Sequence, residues 1–131
     1  MLPRTLRLTR TSEYRAVYDN GKARRTANLV CIVRSAPGEP TRAGIVASRR
    51  IGGAVQRNRA KRRLRHGIRR IWPELPSSGY HIVLIATAMT GKVDYARLIH
   101  DLQGLLAELG LISRDPAGSS VAPQPQTEKA D

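Results

Sequence analysis

Eight cations lie on one short stretch of chain: Arg57, Arg59, Lys61, Arg62, Arg63, Arg65, Arg69 and Arg70. Seven are arginine, whose planar and permanently charged guanidinium forks onto phosphates and base edges in a way an ammonium does not. Solvated helices ordinarily mix signs at i, i+4 to gain small ion-pair energies. Here like charges stand at Arg59/Arg63, Lys61/Arg65 and Arg65/Arg69, each pair mildly destabilising. Between Glu39 and Glu74 there is no acid, and there are eleven basic residues, Arg49 and Arg50 among them. The chemistry these residues suit is binding a polyanion.

Other chemistry has few candidates. His66, His81 and His100 are scattered without metal-ligand spacing, and the ten acids include no close pair suited to holding Mg²⁺. A self-contained nuclease needs such a convergence, so no catalytic or metal-binding side chains are expected. Cys31 reads as a small core residue in an apolar strand, and Asp94 as a helix cap. A lone cysteine excludes an intramolecular disulfide and points to a reduced, cytoplasmic setting. The formal net charge of +13 adds self-repulsion that a polyanionic partner offsets. No apolar run approaches the ~20 residues of a membrane-spanning helix, and the N-terminus lacks a signal-peptide apolar region. A membrane partner is therefore not expected.

The elements that must position the cations follow from periodicity. A helix is predicted from Ala54 to Trp72, started after Gly52-Gly53 and ended by Pro73. On it Ala60, Leu64, Ile68 and Ile71 form one narrow apolar stripe that must pack on a sheet. The remaining arc divides into two flanks, Asn58/Lys61/Arg65/Arg69 and Arg59/Arg63/His66/Arg70, with Arg57 near the stripe's edge. Such a helix can touch two RNA segments at once. Gly67 within it permits close backbone approach or costs roughly 1 kcal/mol to no purpose.

Residues 1–10 read as an extended basic arm. A short helix from Ser12 to Asn20 is capped by Thr11 or Ser12, favoured by Glu13 near its positive end and stopped by Gly21. Tyr14 and Tyr18 share one face of it, a spacing that suits either core packing or the stacking of unpaired bases. Residues 27–34 form a largely buried strand, Pro37–Pro40 a turn, and residues 42–48 a second strand antiparallel to the first. Tyr80–Thr87 is apolar enough for a central strand. Asp94 opens a last helix that carries Leu98, Ile99, Leu102, Leu105, Leu106 and Leu109 and ends at Gly110. The result is one α+β domain over residues 1–112, followed by a Pro/Ser/Gln-rich stretch, 113–131, expected to be a disordered tail.

The run from Ser48 to Arg65, SRRIGGAVQRNRAKRRLR, resembles the signature of the bacterial ribonuclease P protein subunit, and Leu6-Arg7 and Tyr14-x-x-x-Tyr18-x-x-Gly21 extend the match. The resemblance implies an α-β sandwich: a sheet of about four strands packed with three helices, in the order α-β-β-(β)-α-β-α. The basic helix would cross between parallel strands in the unusual left-handed sense. It implies a subunit that joins a catalytic RNA, one to one, in removing the 5′ leader from precursor tRNA. The chemistry would belong to the RNA subunit and its Mg²⁺, with no cofactor held by the protein. Arg57, Asn58, Lys61 and Arg65 match positions near the leader, whereas Arg59, Arg62 and Arg63 match positions suited to the catalytic RNA. Arg49, Arg50 and Arg69 join the RNA-binding set. Tyr14 and Tyr18 match aromatics lining a leader cleft. Two departures stand out: Ile32 where the family often has an aromatic, and Ala86-Thr87-Ala88 where it often has an arginine. A ribosomal-type structural RNA-binding protein is the alternative. A helix-turn-helix DNA module would need a second helix just before the basic one, where a strand is predicted instead.

Overall fold

The computed structural model describes residues 2–112; the expected tail, 113–131, lies outside them. The order is α1 (Thr11–Asn20), β1 (Lys22–Arg25), β2 (Leu29–Pro40), β3 (Arg42–Val46), α2 (Ala54–Ile71), β4 (Ser78–Ala86) and α3 (Tyr95–Glu108). The strands form one mixed sheet in the order β1-β2-β4-β3. The two central strands, β2 and β4, carry the continuous apolar runs LVCIV and IVLIA, buried on one face and partly covered by α1 on the other.

Register assigns each side chain to a face. Leu29, Cys31 and Val33 of β2 stand beside Ala86, Leu84 and Ile82 of β4, and all six are buried under α2 and α3 in the main core. The opposite face carries a smaller cluster of Leu8, Val17 and Val83 beneath α1. The domain is thus a sandwich: two helices on one side of the sheet, one on the other.

The sheet corrects one expectation. β3 does run antiparallel to β2, but they are not neighbours: β4 lies between them, antiparallel to β2 and parallel to β3. The β3-α2-β4 unit therefore joins adjacent parallel strands through the basic helix. The expected Pro37–Pro40 turn is a bulge at the end of β2, where the register jumps from Ala36↔Gly79 to Pro40↔Ser78 and Gly38 takes φ +83°. β1, with only Ala23 apolar, is an edge strand that carries no hydrophobic signal of its own.

Two other expectations fail near the N-terminus. Residues 2–10 are not an extended arm throughout but a segment packed on the domain. Leu2 and Leu8 are buried, residues 4–6 make a 3-10 turn, and the Leu8 amide donates to the Ala43 carbonyl at 3.0 Å. The segment thereby covers the exposed edge of β3. Nor is α1 capped by Thr11 or Ser12. The Glu13 carboxylate accepts from the backbone amides of Thr9 and Arg10, both at 3.0 Å. Asp94 occupies the N-cap position of α3, yet its side chain makes no capping bond. At the other end Gly110, φ +86°, closes α3 as expected: Leu111 N–H reaches Leu106 O and Gly110 N–H reaches Ala107 O.

Candidate nucleic-acid interface

Helix α2 packs through the stripe read from its sequence: Ala60, Leu64, Ile68 and Ile71 are buried, joined by Gly67. A Cβ at Gly67 would meet Ile99 and Leu102 at 3.2 and 3.3 Å, so the glycine lets α3 approach closely. The helix begins with a turn that glycine makes possible, since Gly52 has φ +134°. Just before it, Ser48 Oγ accepts from the Arg50 amide in a 3-10 turn that leaves Arg49 and Arg50 exposed.

The two predicted flanks diverge. Lys61 and Arg65 turn toward β3 and line a cavity of about 210 Å³ with Leu2, Leu8, Tyr14 and Gly44. Arg59 and Arg63 turn toward the loop between β4 and α3. Arg59 Nε donates to Gly91 O at 2.7 Å, and Arg63 Nη1 donates to Thr90 O at 2.8 Å and Val93 O at 2.6 Å. Arg63 is therefore half-buried and already engaged. Arg62, Asn58 and Arg69 are exposed and Arg57 is half-buried.

That loop is tied down from its other side. Thr90 is fully buried; its Oγ1 donates to Asn28 O at 2.6 Å and accepts from the Thr87 amide at 2.8 Å. Asn28 Nδ2 and Thr26 Oγ1 in turn donate to the Asp101 carboxylate of α3, at 2.6 and 2.9 Å. Burial raises the Asp101 pKa, but these bonds and nearby Arg97 outweigh it and hold the carboxyl below its ordinary value. Backbone carbonyls bear no sequence signature, so this support for the Arg59/Arg63 flank was not legible beforehand.

The sheet face under α1 forms the second part of the site. The hydroxyl end of the Tyr14 ring sits against Gly44, so closely that any Cβ there would collide with it, and its hydroxyl donates to Leu8 O at 3.3 Å. Burial raises its pKa. The phenol is partly core and partly cavity wall. Tyr18 is 47% exposed. Beyond α1 the face continues as an in-register row, Val30↔Ile85↔Val46, of half-buried aliphatic side chains. Ile32 packs in the cluster beneath α1. The row emerges only once strand order and register are known, although glycine in strand β3 was a hint of close approach.

The remaining titratable groups lie apart. His66 and His100 are exposed on different helices. His81 is buried, with Nε2 3.2 Å from Glu39 Oε1. Cys31 is buried, and burial pushes its thiol up to about 12. No helix among the described residues is long and apolar enough to cross a membrane.

Comparison with known proteins bears on this arrangement directly. The ribonuclease P family model matches residues 2–110. The chain belongs to the ribonuclease P protein family. The ribonuclease P protein component of Symbiobacterium thermophilum is 35% identical over 115 residues, covering 87% of this chain and 99% of that one. That of Streptomyces avermitilis is 41% identical over 118 residues, covering 83% and 95%. The structure of the Thermotoga maritima RNase P protein superposes with a TM-score of 0.67 at 29% identity, over 76% of this chain and 94% of that one. The Staphylococcus aureus RNase P protein, at 19% identity and a TM-score of 0.72 over 82% and 98%, shares the fold. As a ribonuclease P protein component the chain is an RNA-binding subunit of a tRNA-processing ribonucleoprotein, which sets aside the ribosomal-type alternative.

Proposed function

We propose that the groove between α1 and the sheet binds the single-stranded 5′ leader of precursor tRNA, while the opposite flank of α2 rests on the catalytic RNA. The observation that carries this is the cavity at the β3 edge, where Tyr14 of α1 meets Lys61 and Arg65 of α2. An aromatic ring beside two cations suits unpaired nucleotides, whose bases stack while their phosphates pair. Arg57 and Asn58 extend this flank along the helix. Arg62, Arg69, Arg49 and Arg50 are exposed cations available to phosphate. Arg59 and Arg63 contribute through the loop they hold as well as through their charge.

In this reading the protein binds and orients, and bond cleavage belongs to the RNA subunit with its Mg²⁺. The groups gathered here are guanidiniums, an ammonium, an amide and phenols, which suit binding rather than hydrolysis. One protein pairs with one RNA subunit, and the cytoplasm is its setting. The test is a reconstituted holoenzyme binding precursor and mature tRNA. Wild-type should prefer the leader-bearing precursor, and Tyr18→Ala should remove about 1–3 kcal/mol of that preference, leaving mature tRNA affinity alone. Equal affinity of the wild-type for both RNAs would sink the leader reading. Specific cleavage by protein and Mg²⁺ without the RNA subunit would overturn the division of labour.

A further inference from the structure

The aliphatic row on the open sheet face does not end at β2. Register carries it to the outer strand, because Arg25 of β1 pairs with Val30, giving Arg25↔Val30↔Ile85↔Val46 across all four strands. We propose that Arg25 is a further RNA-binding residue, the cation that receives the leader's outer nucleotides after they have crossed the sheet. This rests on the leader groove proposed above.

Strand alternation sorts the β1 cations. Arg24, in register with Cys31, belongs to the helix-covered face, and its Nε lies 3.9 Å from Glu108 of α3. Arg25 belongs to the other face and is exposed. No ion pair or side-chain hydrogen bond engages it among the described residues. The same face has a second row of basic residues, Arg34↔His81↔Arg42. Arg42 pairs with Glu13 at 3.2 Å and Glu39 at 3.7 Å, and His81 lies 3.2 Å from Glu39. Two members of that row thus have carboxylates at hand beside the start of α1, while Arg34 lies 3.5 Å from the His81 ring. The Arg25 row has no such acid, and instead sets a guanidinium beside half-buried aliphatic surface. Bases can lie against the aliphatic groups while the guanidinium stacks on a base or forks onto a phosphate.

Position makes the inference specific. Three inter-strand steps separate Arg25 from β3, about 14 Å. The cavity with Lys61 and Arg65 lies at the β3 edge. Nucleotides next to the cleavage junction would occupy that edge, so only the outer part of a leader would reach Arg25. The residue should therefore make binding depend on leader length.

The experiment uses holoenzyme reconstituted with wild-type, Arg25→Ala or Arg25→Lys protein, and precursors whose leaders are shortened one nucleotide at a time. Arg25→Ala should bind long-leader precursors about five- to tenfold more weakly, equal wild-type on the shortest leaders, and have a less salt-dependent long-leader affinity. Arg25→Lys should restore the salt dependence. If wild-type gains affinity with leader length and Arg25→Ala gains just as much, Arg25 is no part of the groove. An equal loss at every length, mature tRNA included, would place Arg25 elsewhere in the complex and overturn the inference. A wild-type enzyme indifferent to leader length would remove the groove itself.

Discussion

Removing the Arg63 side chain should cost stability before it costs RNA binding. Its Nη1 bridges the Thr90 and Val93 carbonyls at 2.8 and 2.6 Å. Hydrogen bonds from a charged donor contribute about 1.5–3 kcal/mol each when fully desolvated. Arg63 is only half-buried, so water recovers part of this in Arg63→Ala. A net loss of about 2 kcal/mol is expected. The loop keeps its other anchor, Thr90 Oγ1 to Asn28 O, so the loss should be local and the urea m-value unchanged. Arg63→Lys should recover only part of the loss, since the shorter lysine must bring its ammonium to both carbonyls that Nη1 now bridges. The contrasting variant is Arg62→Ala, an exposed residue one position away. It should leave urea stability within ~0.5 kcal/mol while lowering the salt slope of RNA-subunit binding by roughly one. Urea unfolding of both proteins, with titrations of the RNA subunit at several salt concentrations, checks the pair. If Arg63→Ala unfolds like wild-type and loses only RNA affinity, the loop contact is not what holds that flank.

Two further outcomes follow from the packing and the charges. Gly44→Ala should push the Tyr14 ring off β3, weakening leader-dependent binding several-fold and destabilising the fold by about 1–3 kcal/mol; precursor binding and thermal unfolding report both. Glu13, held below its ordinary pKa chiefly by the Arg10 amide, and Asp101, held there by Asn28 and Thr26 against its burial, both stabilise the ionised fold. Their contribution is complete above the unfolded-state values near about 4 and disappears as pH falls through the lowered folded values. Glu13→Gln and Asp101→Asn should therefore flatten the acid limb of a stability–pH profile, and an unchanged limb would remove these carboxylates from the stability account.

The basic helix was legible in the sequence because its signal is local. Ala60, Leu64, Ile68 and Ile71 repeat with the helix period, and a packed stripe leaves the cations only two flanks. Features that depend on distant pairing were not legible. Nothing in residues 42–46 says that β4 will insert beside them, and Lys22–Arg25 is too polar to announce a strand. Capping by Glu13 rather than Thr11 or Ser12, and the idle Asp94 side chain, turn on side-chain geometry that composition does not fix. The carbonyls holding Arg59 and Arg63 belong to Thr90, Gly91 and Val93, uncharged residues whose side chains give no sign of an arginine partner. The groove is the clearest case: Tyr14 and Tyr18 were visible as a pair, but the aliphatic row beside them exists only across strands.

The two flanks of α2 can be addressed separately, because Asn58 and His66 are exposed, one on each flank and about two turns apart, and the native thiol, Cys31, is buried. A photoactivatable crosslinker attached through Asn58→Cys or through His66→Cys, in holoenzyme bound to precursor tRNA, shows which RNA each side meets. The expected result is capture of the precursor near its leader junction from position 58 and of the RNA subunit from position 66. Capture of the same RNA from both positions, or the reverse assignment, would contradict the division of α2 between substrate and catalytic RNA.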